Sequence, residues 1–158
     1  MSDKLAALRG APLVRDFTDV GLRLLAEATT ERSVGRGTYA FRAGEISQTL
    51  AFVTTGTLQL LGREGGTPLG EVAAGDTLGG LALLTSGEHL LSALAETDVE
   101  LLELSRVAFD ELQKSRPRVC LKLTLALAHD IADRLVEARG PLREFLIWQV
   151  SRRPAEGR

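Results

Sequence analysis

The sequence contains a single cysteine, Cys120, and this scarcity excludes two kinds of structure. One thiol cannot form a disulfide within the chain, which fits a reducing compartment. It also cannot hold a cysteine-ligated iron–sulfur cluster, because such clusters need about four thiolates. Cys120 lies within a helical apolar pattern, so we expect a small buried side chain at this position.

Histidine is almost as scarce, since the chain has only His89 and His129. The sequence pattern places the first near a strand and the second on a helix, which excludes a multi-histidine metal site. No nucleophile elbow, P-loop or metalloprotease motif is present in the sequence. We therefore expect a protein that is not an enzyme and carries no metal or cofactor.

Long hydrophobic runs and a strong charge of either sign are also missing. No apolar stretch approaches the roughly 18 residues of a membrane-spanning helix, and the N-terminal residues lack the apolar core of a signal peptide. The formal net charge of −2 gives no general attraction to nucleic acid or acidic membranes. These absences predict a cytoplasmic protein that binds neither a membrane nor DNA directly.

Glycine, by contrast, is plentiful, with 16 residues that mostly separate short apolar segments. Turn signals between these segments predict a series of short strands. The predicted strands cover residues 30–34, 38–41, 50–54, 57–62, 70–73, 89–94 and 99–104. Short strands at this spacing indicate an antiparallel double-sheet roll over about residues 30–105.

Helical patterns flank the predicted roll. We expect a short helix at residues 3–8, a second ending near residue 28, a third at 107–114 and a long helix at about 117–138. Asp16 or Thr18 can cap the second helix, whose apolar side is predicted to contain Val20, Leu22, Leu24 and Leu25. The fold class is therefore mainly β with flanking α: a jelly-roll-like, double-stranded antiparallel β-helix with N-terminal helices and a long C-terminal helix.

One segment, residues 75–95, carries the most information about function, and we call it the cassette. It reads GDTLGGLALLTSGEHLLSALA, in which two glycines precede a short apolar helix and a second apolar segment follows a polar loop. Glycines before a helix let backbone N–H groups converge on an anion, and the helix dipole adds positive potential there. The pattern is typical of a phosphate-binding turn.

The cassette resembles the phosphate-binding cassette of the cyclic nucleotide-binding domain family, which includes catabolite activator proteins and protein-kinase regulatory subunits. Turn glycines at Gly44, Gly56 and Gly75 fit the same family in order and spacing. The resemblance covers about residues 10–138, and residues 1–138 are predicted to form one such domain. It implies a ligand pocket that includes Gly79, Gly80, Leu81, Ala82, His89 and Leu90.

Two positions that bind ligand in the family hold different residues here. The family glutamate for the ribose 2′-hydroxyl is replaced by Gly80, and the family arginine that clamps the phosphate is replaced by His89. Losing both interactions removes about 2–4.5 kcal/mol, or roughly 30- to 2,000-fold in affinity. His89 is interpreted either as a histidine on an exposed hairpin or, when protonated, as a remaining anion donor. Arg42 and Arg63 lie on other predicted strands as alternative cations.

The long predicted helix carries two apolar stripes. One stripe has the spacing of a coiled-coil seam, and we call it the seam: Leu121, Leu125, Ala128, Ala132 and Leu135. The other stripe, Leu123, Leu127 and Ile131, is expected to pack on the roll. The resemblance implies a parallel homodimer through the seam, and the alternative is a helix that packs only on its own roll.

A Gly140-Pro141 pair is expected to end the long helix. Residues 139–150 then form a predicted helical extension, and its apolar residues Phe145, Leu146 and Trp148 are expected to contact a protein partner. Residues 151–158 are charged and are predicted to be disordered. About twenty residues follow residue 138, too few for the helix-turn-helix domain of the family's transcription factors.

Two functions fit these features. The first is a non-enzymatic signalling or regulatory protein, in which the domain acts as a dimeric protein-interaction module with lost or weakened cyclic nucleotide binding. The second is a genuine sensor that binds a cyclic nucleotide or another small anion in the roll.

Overall fold

The computed structural model describes residues 2–85, 87–137, 140–141 and 143–144. The helices are α1 (Ser2–Arg9), α2 (Asp19–Ala28), α3 (Leu81–Leu84), α4 (Arg106–Ser115) and α5 (Pro117–Glu137), with a 3₁₀ turn at Pro12–Val14. The first strands are β1 (Thr30–Val34), β2 (Tyr39–Phe41), β3 (Ile46–Ser47), β4 (Thr49–Thr55) and β5 (Thr57–Leu61). The others are β6 (Gly70–Ala73), β7 (Thr77–Leu78), β8 (Gly87–Glu88), β9 (Ser92–Ala95) and β10 (Val99–Ser105).

The strands form two four-stranded antiparallel sheets and a short ribbon. The sheet orders are β1-β10-β4-β7 and β2-β9-β5-β6, and β3 pairs with β8 in the ribbon. The register of the first sheet sets Arg32 opposite Leu101 and Leu101 opposite Val53. This arrangement confirms the predicted mainly β fold, an antiparallel roll with flanking helices.

Strand β4 is buried on both faces and divides the core into two parts. Leu50 and Phe52 point to the helical layer, whereas Ala51 and Val53 point into the roll, because successive side chains of a strand alternate in direction. A strand covered on both faces has a continuous apolar run instead of alternation, and residues 50–53 have this pattern. Cys120 belongs to the helical part of the core and is only 3% exposed, as expected.

The predicted apolar side of α2 is wrong at one position. Thr18 caps this helix by accepting a hydrogen bond from the Gly21 amide at 3.1 Å. Leu22 and Leu25 then face the core, but Val20 is 67% exposed. The buried stripe runs through Gly21, Leu22, Leu25 and Ala26, and Val20 lies outside this helical spacing.

The strand boundaries also differ from the prediction in places. The strand predicted at residues 89–94 begins at Ser92, and the strand predicted at 38–41 begins at Tyr39. His89 instead lies between β8 and β9, where its amide donates to the Glu45 carbonyl and its carbonyl accepts from the Gly44 amide. The two-residue strands β3, β7 and β8 were not predicted, because two residues are too few to show an alternating pattern.

Helix α5 packs one stripe on the rest of the domain and leaves the other outside. Leu123 and Leu127 are buried in the helical part of the core, as predicted. In the seam, Leu121 is 61% and Leu125 is 54% exposed, Ala128 and Ala132 are exposed, and Leu135 is half-buried. No helix within the described ranges is long and apolar enough to cross a membrane. Phe145, Leu146, Trp148 and residues 151–158 lie outside the described residues.

Candidate functional site

The cassette begins with a turn that only glycine tolerates. Strand β7 pairs with β4, with Leu78 opposite Ala51, and the chain then reverses at Gly79 with φ of +72°. A Cβ atom at this residue would lie 2.4 Å from the Thr49 carbonyl oxygen, far inside contact distance. A positive φ is also strained for any residue with a side chain. Gly79 therefore fixes the direction in which α3 starts.

Gly80 adopts ordinary right-handed helical geometry, so backbone strain does not explain its lack of a side chain. A Cβ atom placed here would lie 3.0 Å from Leu127 Cδ2 of α5, which is closer than ordinary packing. Leu127 is 1% exposed and part of the core. The absence of a side chain at Gly80 thus permits the close approach of α5 to the cassette.

The short helix α3 is held in place by the packing of its apolar residues and by hydrogen bonds from Arg106, the first residue of α4. Ala82 and Leu83 are buried, while Leu81 is 41% exposed. The Arg106 guanidinium donates to the carbonyls of Ala82 and Thr85, both at 2.9 Å. These carbonyls lie at the C-terminal end of α3, where a positive charge stabilises the helix.

Sequence reasoning missed Arg106, although the sequence carried a signal for it. Arg106 is the first residue of α4, directly after the capping Ser105. A cation in the first turn of a helix is disfavoured by the helix dipole. An arginine in that position is therefore expected to have a partner elsewhere, which here is the cassette.

His89 is half-buried and packs flat against an aromatic ring. Its imidazole stacks on Phe41 with ring centroids 3.9 Å apart and an interplanar angle of 6°. A Cβ atom at Gly79 would lie 3.8 Å from His89 Cε1, so the imidazole is next to the cassette turn. The expected exposed hairpin is therefore wrong for this side chain, although the structure does bring His89 and Gly79 together.

The surroundings of His89 favour its neutral form. Burial lowers the pKa of His89 below its ordinary value of 6.5, and the nearby Glu45 carboxylate partly opposes that shift. A neutral imidazole offers one N–H donor and no charge, and this is a weaker partner for phosphate than an arginine. At neutral pH the side chain thus lacks the charge of the family clamp.

The two arginines considered as alternative cations have other partners. Arg63 forms a 2.6 Å ion pair with Glu88, the residue before His89. Arg42 lies over the Tyr39 ring at 4.1 Å from its centroid. Leu90, predicted as a pocket residue, is 36% exposed. Across the described part of the chain no group of three or more His, Cys, Asp and Glu residues could hold a metal ion.

Comparisons of sequence and structure find known proteins that are similar to this chain. The family profile of the cyclic nucleotide-binding domain matches residues 31–116. The N-terminal domain of a Streptomyces coelicolor transcriptional regulator is 26% identical, with a TM-score of 0.72 over 85% of this chain and 98% of that one. The Thermus thermophilus catabolite activator protein is 28% identical, with a TM-score of 0.68 over 80% of this chain and 61% of that one.

A further relative is a much longer protein. An uncharacterized NTE family protein of Mycobacterium tuberculosis is 25% identical over 127 residues, which are 80% of this chain and 22% of that protein. This chain thus spans about a fifth of that relative's length. The profile match covers more than half of the 158 residues and includes the whole roll apart from its first residue. The chain therefore belongs to the cyclic nucleotide-binding domain family.

Proposed function

We propose that this chain is a non-enzymatic regulatory domain of the cytoplasm, which acts as a dimeric protein-interaction module and has lost or weakened cyclic nucleotide binding. The observation that carries the proposal is the contact at Gly80. This position has no carboxylate for a ribose hydroxyl, and Leu127 Cδ2 lies 3.0 Å from where its Cβ would be. The long helix thus uses the position for packing.

His89 supports the same interpretation. Its ring is stacked on Phe41, and burial lowers its pKa and so favours the uncharged form. An arginine at this position would hold a permanent charge and a bidentate fork for the phosphate. Both family contacts to the ligand are therefore weakened by side-chain identity and by local packing.

Isothermal titration calorimetry with cAMP and cGMP tests the loss of binding. Removing the two contacts is expected to raise a dissociation constant of about 1 μM to between roughly 30 μM and 2 mM. A dissociation constant below roughly 10 μM at pH 7.5 would contradict the proposal, because other groups would then have recovered the missing 2–4.5 kcal/mol.

The exposed seam of α5 supports the proposed homodimer. Leu121 and Leu125 are more than half exposed, and the neighbouring Ala128 and Ala132 would let a second helix approach closely. α5 has 21 residues, or about 30 Å of helix. Two such helices side by side would cover apolar surface that one chain leaves in water.

Light scattering of the full chain tests this dimer. We expect a mass of twice 17.0 kDa for the wild type, and the mass of one chain for the double variant Leu125→Glu with Ala132→Glu. This variant sets four like charges in the dimer seam, which like-charge repulsion disfavours. The matched control is Val20→Glu with Val107→Glu, because these valines are 67% and 73% exposed on other helices. A wild-type mass of 17.0 kDa would refute the dimer.

A protein partner is part of the proposal. A regulatory role is suggested by the similar Thermus catabolite activator protein and Streptomyces transcriptional regulator. The proposed contact residues Phe145, Leu146 and Trp148 follow α5 in the sequence. Changing Phe145 and Trp148 to Ser should abolish partner capture while leaving the dimer mass unchanged, and unchanged capture would contradict this assignment.

One observation favours the alternative of an anion sensor. The His89 imidazole lies beside Gly79, at the turn that precedes α3, and it can donate a hydrogen bond to a bound anion. Thermal unfolding with cAMP, cGMP, cyclic dinucleotides or inorganic phosphate separates the two functions. A ligand at 100 times its dissociation constant adds about 2.7 kcal/mol of stability, and no shift with any of these anions would exclude the sensor.

A further inference from the structure

A cleft of about 320 Å³ is lined in part by His89. It lies next to the ribbon formed by β3 and β8, and Phe41 and His89 are among the residues that line it. Residues of β1, β4 and β10 also line it. Of the described cassette residues, only His89 lines this cleft.

Arg32 joins the two sheets at this cleft. One guanidinium nitrogen donates to Glu103 Oε1 at 2.9 Å, within the first sheet, and the other donates to the Ala40 carbonyl at 2.9 Å, in the second. Glu103 is only 19% exposed as a side chain. Because this ion pair neutralises both partners, Arg32 does not leave a positive charge for an anionic ligand.

The remaining charge in the cleft is negative. The Glu45 carboxylate accepts one hydrogen bond, from the Arg42 amide at 3.2 Å, and forms no salt bridge within the described residues. The side chains of Gln48, Thr49 and His89 also line the cleft. These three make no side-chain hydrogen bond within the described part of the chain. A carboxylate and several unused polar groups therefore surround one space.

We propose that this cleft binds a small organic cation with N–H donors, an amine or a guanidinium compound. Glu45 would supply the counter-charge, Gln48 and Thr49 the acceptor oxygens, and the stacked Phe41 and His89 rings a flat wall for the aliphatic part. A free metal ion fits less well, because no set of three metal-ligating side chains exists within the described residues. The negative balance disfavours phosphate and cyclic nucleotides, so this site differs from the cassette in ligand class.

Agmatine, which has an amine and a guanidinium at opposite ends, is a suitable probe. We expect a titration of the isotopically labelled full chain to shift the amide NMR signals of Glu45, Thr49 and His89 in a saturable way. Glu45→Gln should weaken binding by about tenfold or more, since a hydrogen bond to a charged group is lost. Glu71→Gln, the same change at an exposed position of β6, should leave the affinity unaltered.

Thr49→Val provides a second variant that retains the side-chain shape and removes the hydroxyl. It should weaken agmatine binding by about two- to tenfold, the range for a neutral hydrogen bond. Inorganic phosphate should not shift the three signals. The proposal is overturned if agmatine shifts none of them up to about 10 mM, which corresponds to negligible affinity. It is equally overturned if Glu45→Gln and Glu71→Gln have the same effect, or if phosphate binds the cleft as well as agmatine.

Discussion

The turn and short helix of the cassette, which we call its frame, are held by different contacts from Gly80 and His89, the two positions that bind ligand in the family. The frame depends on its own backbone and on buried apolar groups: Gly79 turns the chain against the Thr49 carbonyl, and Ala82 and Leu83 fill the core. The ligand positions, Gly80 and His89, contact side chains from distant parts of the chain. Leu127 comes from α5 and Phe41 from β2.

This difference explains how the family fold can persist whether or not the family ligand binds. The turn at Gly79 is required for the roll to close with α3 in place, because no other residue fits there. The side chains that bind a ribose and a phosphate are not required for folding. They can be replaced by packing without disturbing the frame, since function belongs to the site and not to the fold.

The largest expected effect is the gain in cAMP affinity when the two side chains that bind ligand in the family are restored. The variant Gly80→Glu with His89→Arg returns the carboxylate and the guanidinium, and Leu127→Val removes the methyl group that a side chain at 80 would meet. If only these groups are missing, cAMP affinity should rise by roughly 30- to 2,000-fold. Calorimetry of the triple variant against wild type measures the gain.

Two control variants show which group matters. His89→Arg with Leu127→Val lacks the ribose contact and should give only part of the gain. The double variant Gly80→Glu with His89→Arg keeps Leu127 and should bind less well than the triple variant, because its new side chain must displace a buried leucine. Equal binding by the double and triple variants would mean that Leu127 does not restrict this position.

Alanine substitutions at the neighbouring Gly79 and Gly80 test directly whether the frame contributes more to stability than the ligand position. Gly79→Ala should destabilise the fold by about 3 kcal/mol or more, because it combines backbone strain with a clash against a carbonyl. Gly80→Ala should cost about 1 kcal/mol, since the better helix propensity of alanine partly offsets crowding. Urea denaturation of both variants measures the difference, and equal losses would contradict the distinction.

A double-mutant cycle tests whether the stability loss of Gly80→Ala comes from its contact with Leu127. In a Leu127→Val background, the cost of Gly80→Ala should largely disappear, since the atom 3.0 Å from the new Cβ is gone. Residues in direct contact are expected to be non-additive in this way. If the stability losses of the two single variants simply add, the contact with Leu127 does not explain why residue 80 is a glycine.

Much of the fold was predictable because its signals are local. The glycine turns and apolar runs located seven of the strands, and of the two candidate caps, Asp16 and Thr18, the structure shows Thr18 at the start of α2. Val20 on α2 was predicted to face the core because it is apolar, but it lies outside the helical spacing of the buried residues. Strands of two residues were missed because they are too short to show an alternating pattern, and they form through pairing with distant strands.

The candidate site was predictable only in part. Substitution of the two ligand positions can be read from the sequence, because the cassette spacing identifies Gly80 and His89. The contacts that now occupy them cannot be read in this way. Phe41 is 48 residues from His89 and Leu127 is 47 residues from Gly80, and only the folded chain shows that these residues meet. Whether these positions bind any ligand stays a prediction.

The smallest expected effect concerns the protonation of His89. Burial lowers the pKa of His89 in the folded protein below the ordinary value of 6.5, so the unfolded chain binds this proton more readily than the folded one. Its contribution to the free energy of unfolding is therefore present above pH 6.5 and is lost as the pH falls below that value.

The variant His89→Phe tests this expectation, because it keeps an aromatic ring against Phe41 and removes the titration. The difference in stability between wild type and His89→Phe, measured by urea denaturation from pH 7.5 to pH 5, should shift against the wild type as the pH falls. A constant difference would show that the stacked imidazole keeps an ordinary pKa, and His89 would then be as free to take up a proton beside Gly79 as a histidine in water.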